Sequence, residues 1–363
     1  MFSKKSKAGG VLAALPLICA STVFAADTLP TNAAADDHGP APLFLTATNG
    51  GNNLLAVINT RTRTTTYVPT GGLGGAAGNA GGVAVQDRLA AVVNFGSTNV
   101  TIFVRRGDSM EPTQVIKTAS QPLSVAFGRN HLVVLGQTTA ESFPVYGASV
   151  GTTPDGLVPL LRSDKSAAQI VTFEGGAIYS EKSGSVAELD LSMNGAPGLA
   201  GPNRPVLLPA APNNDTPFGM IARGANVYVT IAHSNLEALV VNGQIASTAA
   251  GLTPYKDASG GFLHAPCWNA LSGQFLYSSD SPGKQLLRYL VSDTNVFFDK
   301  PAVVRFSGSP TDLSVSDGLL GVIDGGDGTV SNASLFDIDS EGSLSLRFAV
   351  KIAGPINGAA IIR

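Results

Sequence analysis

Two cysteines, one tryptophan, 13% charged residues and no sustained i, i+3, i+4 spacing of apolar residues set the first limits on this 363-residue chain. Cys19 lies in an apolar stretch near the N-terminus, which leaves Cys267 alone in the body, and one cysteine makes no internal disulfide. A body of this length encloses enough core to stand without covalent staples. No base adjoins Cys267 in sequence, so it reads as a small buried apolar side chain rather than a reactive thiol. The missing helical spacing removes α-rich folds. The 23 Lys and Arg are scattered and outnumbered by 26 Asp and Glu, and a net charge of -3 lacks the electrostatic footprint of a nucleic-acid binder.

Several catalytic signatures are absent as well. There is no G-x-S-x-G elbow, no H-E-x-x-H, no C-x-x-C and no Walker loop. The glycines of residues 71–82 lack the spacing of a dinucleotide turn and predict a flexible connector. The acidic run from Asp324 to Asn332 lacks the closing Glu of a calcium loop and predicts a hairpin turn. No cofactor and no metal is expected.

Long apolar runs are also lacking. The one at residues 11–20 is about ten residues, short of the roughly 20 that span a bilayer as a helix. Lys4, Lys5 and Lys7 precede it and the small residues Val23-x-Ala25 follow. That order predicts a signal peptide over 1–25, a Pro- and Asp-rich leader carrying His38 over 26–41, and a mature chain with no transmembrane segment. The expected location is secreted or periplasmic, in a bacterium.

What the chain has in quantity is glycine and proline, 42 and 22 residues, set between short alternating apolar runs. Residues 309–353 show the unit: "PTDLSVS", "LLGVID", "ASLFDID" and "LSLRFAVKI", separated by turn residues. Similar openings stand at Gly81, Pro122, Ala168, Pro217, Ala265, Pro310 and Pro355, in steps of 41 to 49 residues, the blade length of β-propellers. The first unit, residues 43–70, has three strands and lacks the innermost; the last opening, 355–363, is one strand with nothing after it. Together they make one blade and remove the free sheet edge. The prediction is an all-β, single-domain propeller over 42–363, with seven four-stranded antiparallel blades closed by the C-terminal strand.

On one rim of such a ring lie the connectors entering the inner strands and the turns between second and third strands. Polar residues there include Gln169, Asn214, Asp215, His233, His264, Asp280, Lys284, Asp324 and Glu181. Two histidines and nearby carboxylates suit general-base chemistry near neutral pH. His131 falls in an opposite-rim hairpin and is expected at the surface.

The repeats "PFGMIARGANVYVTIAHSNLEALVV" and "LHAPCWNALSGQFLYSSDSPGKQLLRYLV" resemble the seven-bladed lactonase propellers of the 6-phosphogluconolactonase and carboxymuconate-cyclase type. Val227-Tyr228-Val229-Thr230 is also similar to the signature of YVTN surface-repeat propellers. The resemblance implies hydrolysis of a small acidic or sugar lactone. His264 matches the histidine of the family's Arg-His pair; Leu263 stands at the arginine, and Asp280-Ser281 at an Asn-Glu pair. Its site would comprise His264 as base helped by His233 and Glu181, with Lys284, Asp280, Asp324 and Gln169 against the substrate. The alternative is a non-catalytic propeller that holds a ligand or protein on its rim, and a monomer is expected on either reading. Trp268, as the one tryptophan, does not supply the docking motifs of a quinone-dependent dehydrogenase and is expected to pack between blades.

Overall fold

The computed structural model describes residues 39–193, 198–209, 216–300 and 304–363. The expected signal peptide with Cys19, most of the expected leader with His38, and Asn214 and Asp215 lie outside them. Seven antiparallel sheets form the ring. Their inner strands are Asn357–Ile362 in blade 1, then Val83–Gln86, Pro122–Gly128, Ala167–Phe173, Pro217–Arg223, Pro266–Ser272 and Pro310–Ser316 in blades 2 to 7.

Blade 1 is the composite that the repeat arithmetic requires. Leu43–Ala47 pairs on one side with Leu54–Asn59 and on the other with Asn357–Ile362, and Thr65–Pro69 forms the outer edge. All five residues of Leu43–Ala47 are buried, because alternate side chains serve two neighbours. Leu43, Leu45 and Ala47 pack with Val92 and Phe103 of blade 2, while Phe44 packs with Ile323 and Leu335 of blade 7. A sheet covered on both faces reads as a continuous apolar run rather than an alternating one. Truncating Phe44 to Ala would cost about 3–5 kcal/mol, since its ring bridges the closure.

Blade 3 departs from the repeat. Its third strand, Thr139–Tyr146, pairs with two separate pieces, Ser149–Val150 and Gly156–Pro159, in place of one outer strand. Asp155, just before the second piece, accepts from Ser142 Oγ (2.6 Å) and contacts His131 Nε2 (2.9 Å). His131 is thus a buried fastener, 1% exposed, and the expectation of a surface residue is corrected: the detour of the chain covers it.

A second correction concerns the end of the glycine-rich run: residues 79–82 are bonded among the inner strands rather than left as a loose connector. Ala80 N–H donates to Ala168 O (3.1 Å), Val125 N–H donates to Gly81 O (2.8 Å) and Gly81 N–H donates to Asp312 Oδ2 (3.0 Å). Asn79 reaches Leu123 O and Asn357, and Trp268 Nε1 donates to Asn79 O (2.9 Å). The segment therefore touches the inner strands of blades 1, 3, 4, 6 and 7. Its glycines serve close approach: Gly81 sits at φ 68°, and a Cβ on Gly82 would lie 2.3 Å from Asn357 Oδ1. Below this plug the channel keeps a cavity of about 230 Å³, lined in part by Gln169, Thr172, Asn269 and Asp312. Trp268 packs edge-to-face on Phe218 between blades 5 and 6, as the sequence predicts.

Candidate active site

Each inner strand of blades 3 to 7 has a register shift just after its first residue, as between Pro266 and Asn269 or Pro310 and Asp312. Such bulges re-aim side chains at the rim. In blade 6 the shift places the residues preceding Pro266 over the end of the second strand, Phe275–Asp280.

The result is a histidine–carboxylate pair. His264 Nδ1 lies 2.7 Å from Asp280 Oδ2, and Asp280 is fully buried. The same carboxylate accepts from Ala265 N–H (3.0 Å), Gly283 N–H (3.2 Å) and Gln285 Nε2 (2.8 Å). With four donors converging on two oxygens, Asp280 acts as an acceptor, so the His264 proton sits on Nδ1. Nε2 makes no hydrogen bond, on a side chain that is 23% exposed. An imidazole held through Nδ1 by a buried carboxylate presents Nε2, in its neutral form, as a general base.

The loop that carries His264 is fixed at several points. Leu263 N–H and His264 N–H both donate to Tyr255 O, and Asp257 Oδ1 accepts from Ser259 and Gly261 N–H. Phe262 stacks on His233, with centroids 4.6 Å apart and planes 9° from parallel, and Lys256 Nζ stands 4.7 Å from the Phe262 centroid. His233 Nδ1 is 2.6 Å from Thr216 Oγ1. His233 thus anchors the loop to blade 5. Lys256 was not singled out by sequence reasoning, because its approach to Phe262 depends on the local hairpin.

The other expected residues occupy different surroundings. Glu181 is fully buried and its carboxylate accepts from Arg162 and Ser163 N–H; burial raises it above the ordinary carboxylate range. Asp324, also buried, accepts from Gly326 N–H and Asn332 Nδ2 within its own blade. Gln169 lies beneath the plug and accepts from Met220 N–H. Lys284 turns toward blade 7, donating to Ser307 O (3.1 Å) beside a cleft of about 420 Å³ that Asp327 and Lys351 also line. Leu263 is 40% exposed, and Ser281 Oγ donates to Pro310 O. Burial pushes the Cys267 thiol up to about 12, which leaves it protonated and inert. Among the described residues no group of three or more His, Cys, Asp or Glu is placed to hold a metal ion, and no helix is long and apolar enough to cross a membrane.

No protein-family model matches the chain, and no curated protein sequence does. Solved structures match it over most of its length. A protein from Lactobacillus plantarum aligns with a TM-score of 0.64 at 15% identity, covering 89% of this chain and 100% of that one. The periplasmic gluconolactonase of Pseudomonas aeruginosa aligns with a TM-score of 0.63 at 14% identity, covering 89% and 99%. The chain is accordingly a seven-bladed propeller with the fold of the gluconolactonase propellers. At these identities the likeness establishes the fold.

Proposed function

We propose that this chain is an exported hydrolase that opens a small lactone at the rim between blades 5 and 6. The observation that carries the reading is the His264–Asp280 pair, with one ring nitrogen held at 2.7 Å by a buried carboxylate and the other free. The chemistry balances without a metal or cofactor. His264 Nε2 takes a proton from a water whose oxygen attacks the lactone carbonyl carbon. The tetrahedral intermediate then expels the ring oxygen, which receives that proton back, and a hydroxy acid leaves. Lys256, on the same loop, supplies positive charge for an acidic substrate, since Lys284 is engaged by Ser307 O. An acidic or sugar lactone is the substrate class, in line with the name of the Pseudomonas aeruginosa relative, and the N-terminal signal pattern supports a periplasmic or secreted setting.

A panel of aldonolactones and other small lactones, followed by base consumption at constant pH, tests the reading. Turnover of at least one lactone by the wild-type chain is expected. No turnover of any lactone would transfer the site to the second reading, a rim that binds without reacting. The observation favouring that reading is the plug: Asn79, Ala80 and Gly81 fill the centre of the ring with the chain's own backbone.

A further inference from the structure

Beneath the His264–Asp280 pair the facing surfaces of blades 5 and 6 hold an unusual population of oxygens. Among the described residues, seven buried side-chain polar atoms have no hydrogen-bond partner. All are oxygens, and Thr46 Oγ1 apart, all belong to blades 5 and 6: Glu237 Oε2, Asn235 Oδ1, Asn269 Oδ1, Gln285 Oε1, Ser278 Oγ and Tyr289 OH. Every one of the six residues is more than nine-tenths buried.

Their placement follows from strand register. Glu237 stands opposite Thr230, whose Oγ1 donates to Cys267 O of blade 6, so this side of blade 5 faces blade 6. Asn269 Nδ2 donates to Glu237 Oε1 (2.8 Å), and Asn269 pairs across the sheet with Ser278. Gln285 pairs with Asp280, and Tyr289 follows four residues later on the same face. The Asn235 Oδ1 and Tyr289 OH atoms both lie within 3.1 Å of the position that a Cβ on Gly251 would take.

The amide orientations are fixed by chemistry. The amino groups of Asn235, Asn269 and Gln285 donate to Leu252 O, Glu237 Oε1 and Asp280 Oδ2, all acceptors, so in each amide the oxygen is the atom left without a partner. Four of the six oxygens can only accept when Glu237 is ionised, and the two hydroxyl hydrogens of Ser278 and Tyr289 cannot serve them all. Buried acceptors in that surplus are costly unless something positive or donating satisfies them.

We infer that the space between blades 5 and 6 is a binding site for a hard monovalent cation, sodium or potassium, held by the Glu237 carboxylate and the amide oxygens of Asn235, Asn269 and Gln285. An all-oxygen donor set suits hard cations rather than transition metals. The charge count selects a monovalent ion. Both oxygens of Asp280 already accept two hydrogen bonds each, so Glu237 is the one carboxylate there with an oxygen left to ligate an ion. Without a cation, burial raises the Glu237 carboxyl well above its ordinary range. Gln285 joins this site to the one above it, because its Nε2 holds Asp280 while its Oε1 faces the ion. The inference does not depend on lactone chemistry.

Thermal unfolding of the full chain in sodium, potassium or choline chloride at equal ionic strength tests it. One alkali ion is expected to raise the midpoint by about 3 °C or more over choline, as ligand linkage to the folded state requires, and Glu237→Gln abolishes that increase. Equal midpoints in all three salts, or an undiminished increase in Glu237→Gln, overturn the site and leave a buried water cluster. Stabilisation by calcium alone overturns the monovalent assignment. Should Glu237→Gln fail to fold, rubidium in crystals of the wild-type chain decides the matter. An anomalous peak between Glu237 and Gln285 supports the site, and no peak overturns it.

Discussion

The described residues contain two histidine–aspartate pairs, and they make opposite use of the same chemistry. His131 in blade 3 contacts Asp155 through Nε2 at 2.9 Å and Arg129 O through Nδ1 at 2.7 Å, with 1% of the residue exposed. His264 in blade 6 contacts Asp280 through Nδ1 alone, on a side chain that is 23% exposed. In the first, both ring nitrogens are engaged and the ring acts as a crosslink between a hairpin and a loop. In the second, the carboxylate is the buried partner and the histidine is the accessible one. A free nitrogen at a surface, rather than the presence of the pair, separates a candidate base from a fastener.

The comparison breaks most sharply under alanine substitution. His264→Ala should lower kcat for a responsive lactone by roughly 10²–10⁴, the usual contribution of a positioned base, while circular dichroism shows a folded chain. His131→Ala should instead lower stability by about 2–4 kcal/mol in denaturant unfolding, because Asp155 loses a buried partner. Its turnover per folded molecule should stay at the wild-type level.

The plug adds a smaller, pH-dependent contrast. Burial pushes the Asp312 carboxyl to about 7, against the help of Gly81 and Leu313 N–H. The folded chain therefore holds a proton that the unfolded chain releases near pH 4. This contribution to stability is complete below that pH and is lost as pH rises through about 7. Between pH 5 and 8 the wild-type chain should lose about 2.5 kcal/mol from this source, measured by denaturant unfolding at each pH. Asp312→Asn should flatten that part of the profile. A slope shared by both proteins would place the titration elsewhere. Smallest of all is the expected effect of thiol reagents: Cys267 should stay unlabelled at pH 8 in the folded chain and react only on unfolding.

Much of the fold was legible because it is written as a period. Openings 41 to 49 residues apart, three strands at the start and one at the end leave little choice but a closed ring, and the inner strands begin within two residues of where they are expected. His264 and Asp280 were both visible as rim residues. Their direct bond was not, because it depends on the bulge after Pro266 as well as on the repeat. The plug escaped for a different reason. Glycines report freedom of backbone conformation and close approach, not destination, and the partners of residues 79–81 come from five separate blades. The bond from Lys284 to Ser307 O was not legible because it depends on the φ of 52° at that turn, and His131 was misread because the detour covering it interrupts the repeat.

The most direct measurement is lactone turnover by His264→Ala and His131→Ala, compared at equal concentrations of folded protein. The account predicts that turnover collapses in the first and persists in the second. Equal turnover in the two variants would contradict it, and would remove the His264–Asp280 pair from the reaction.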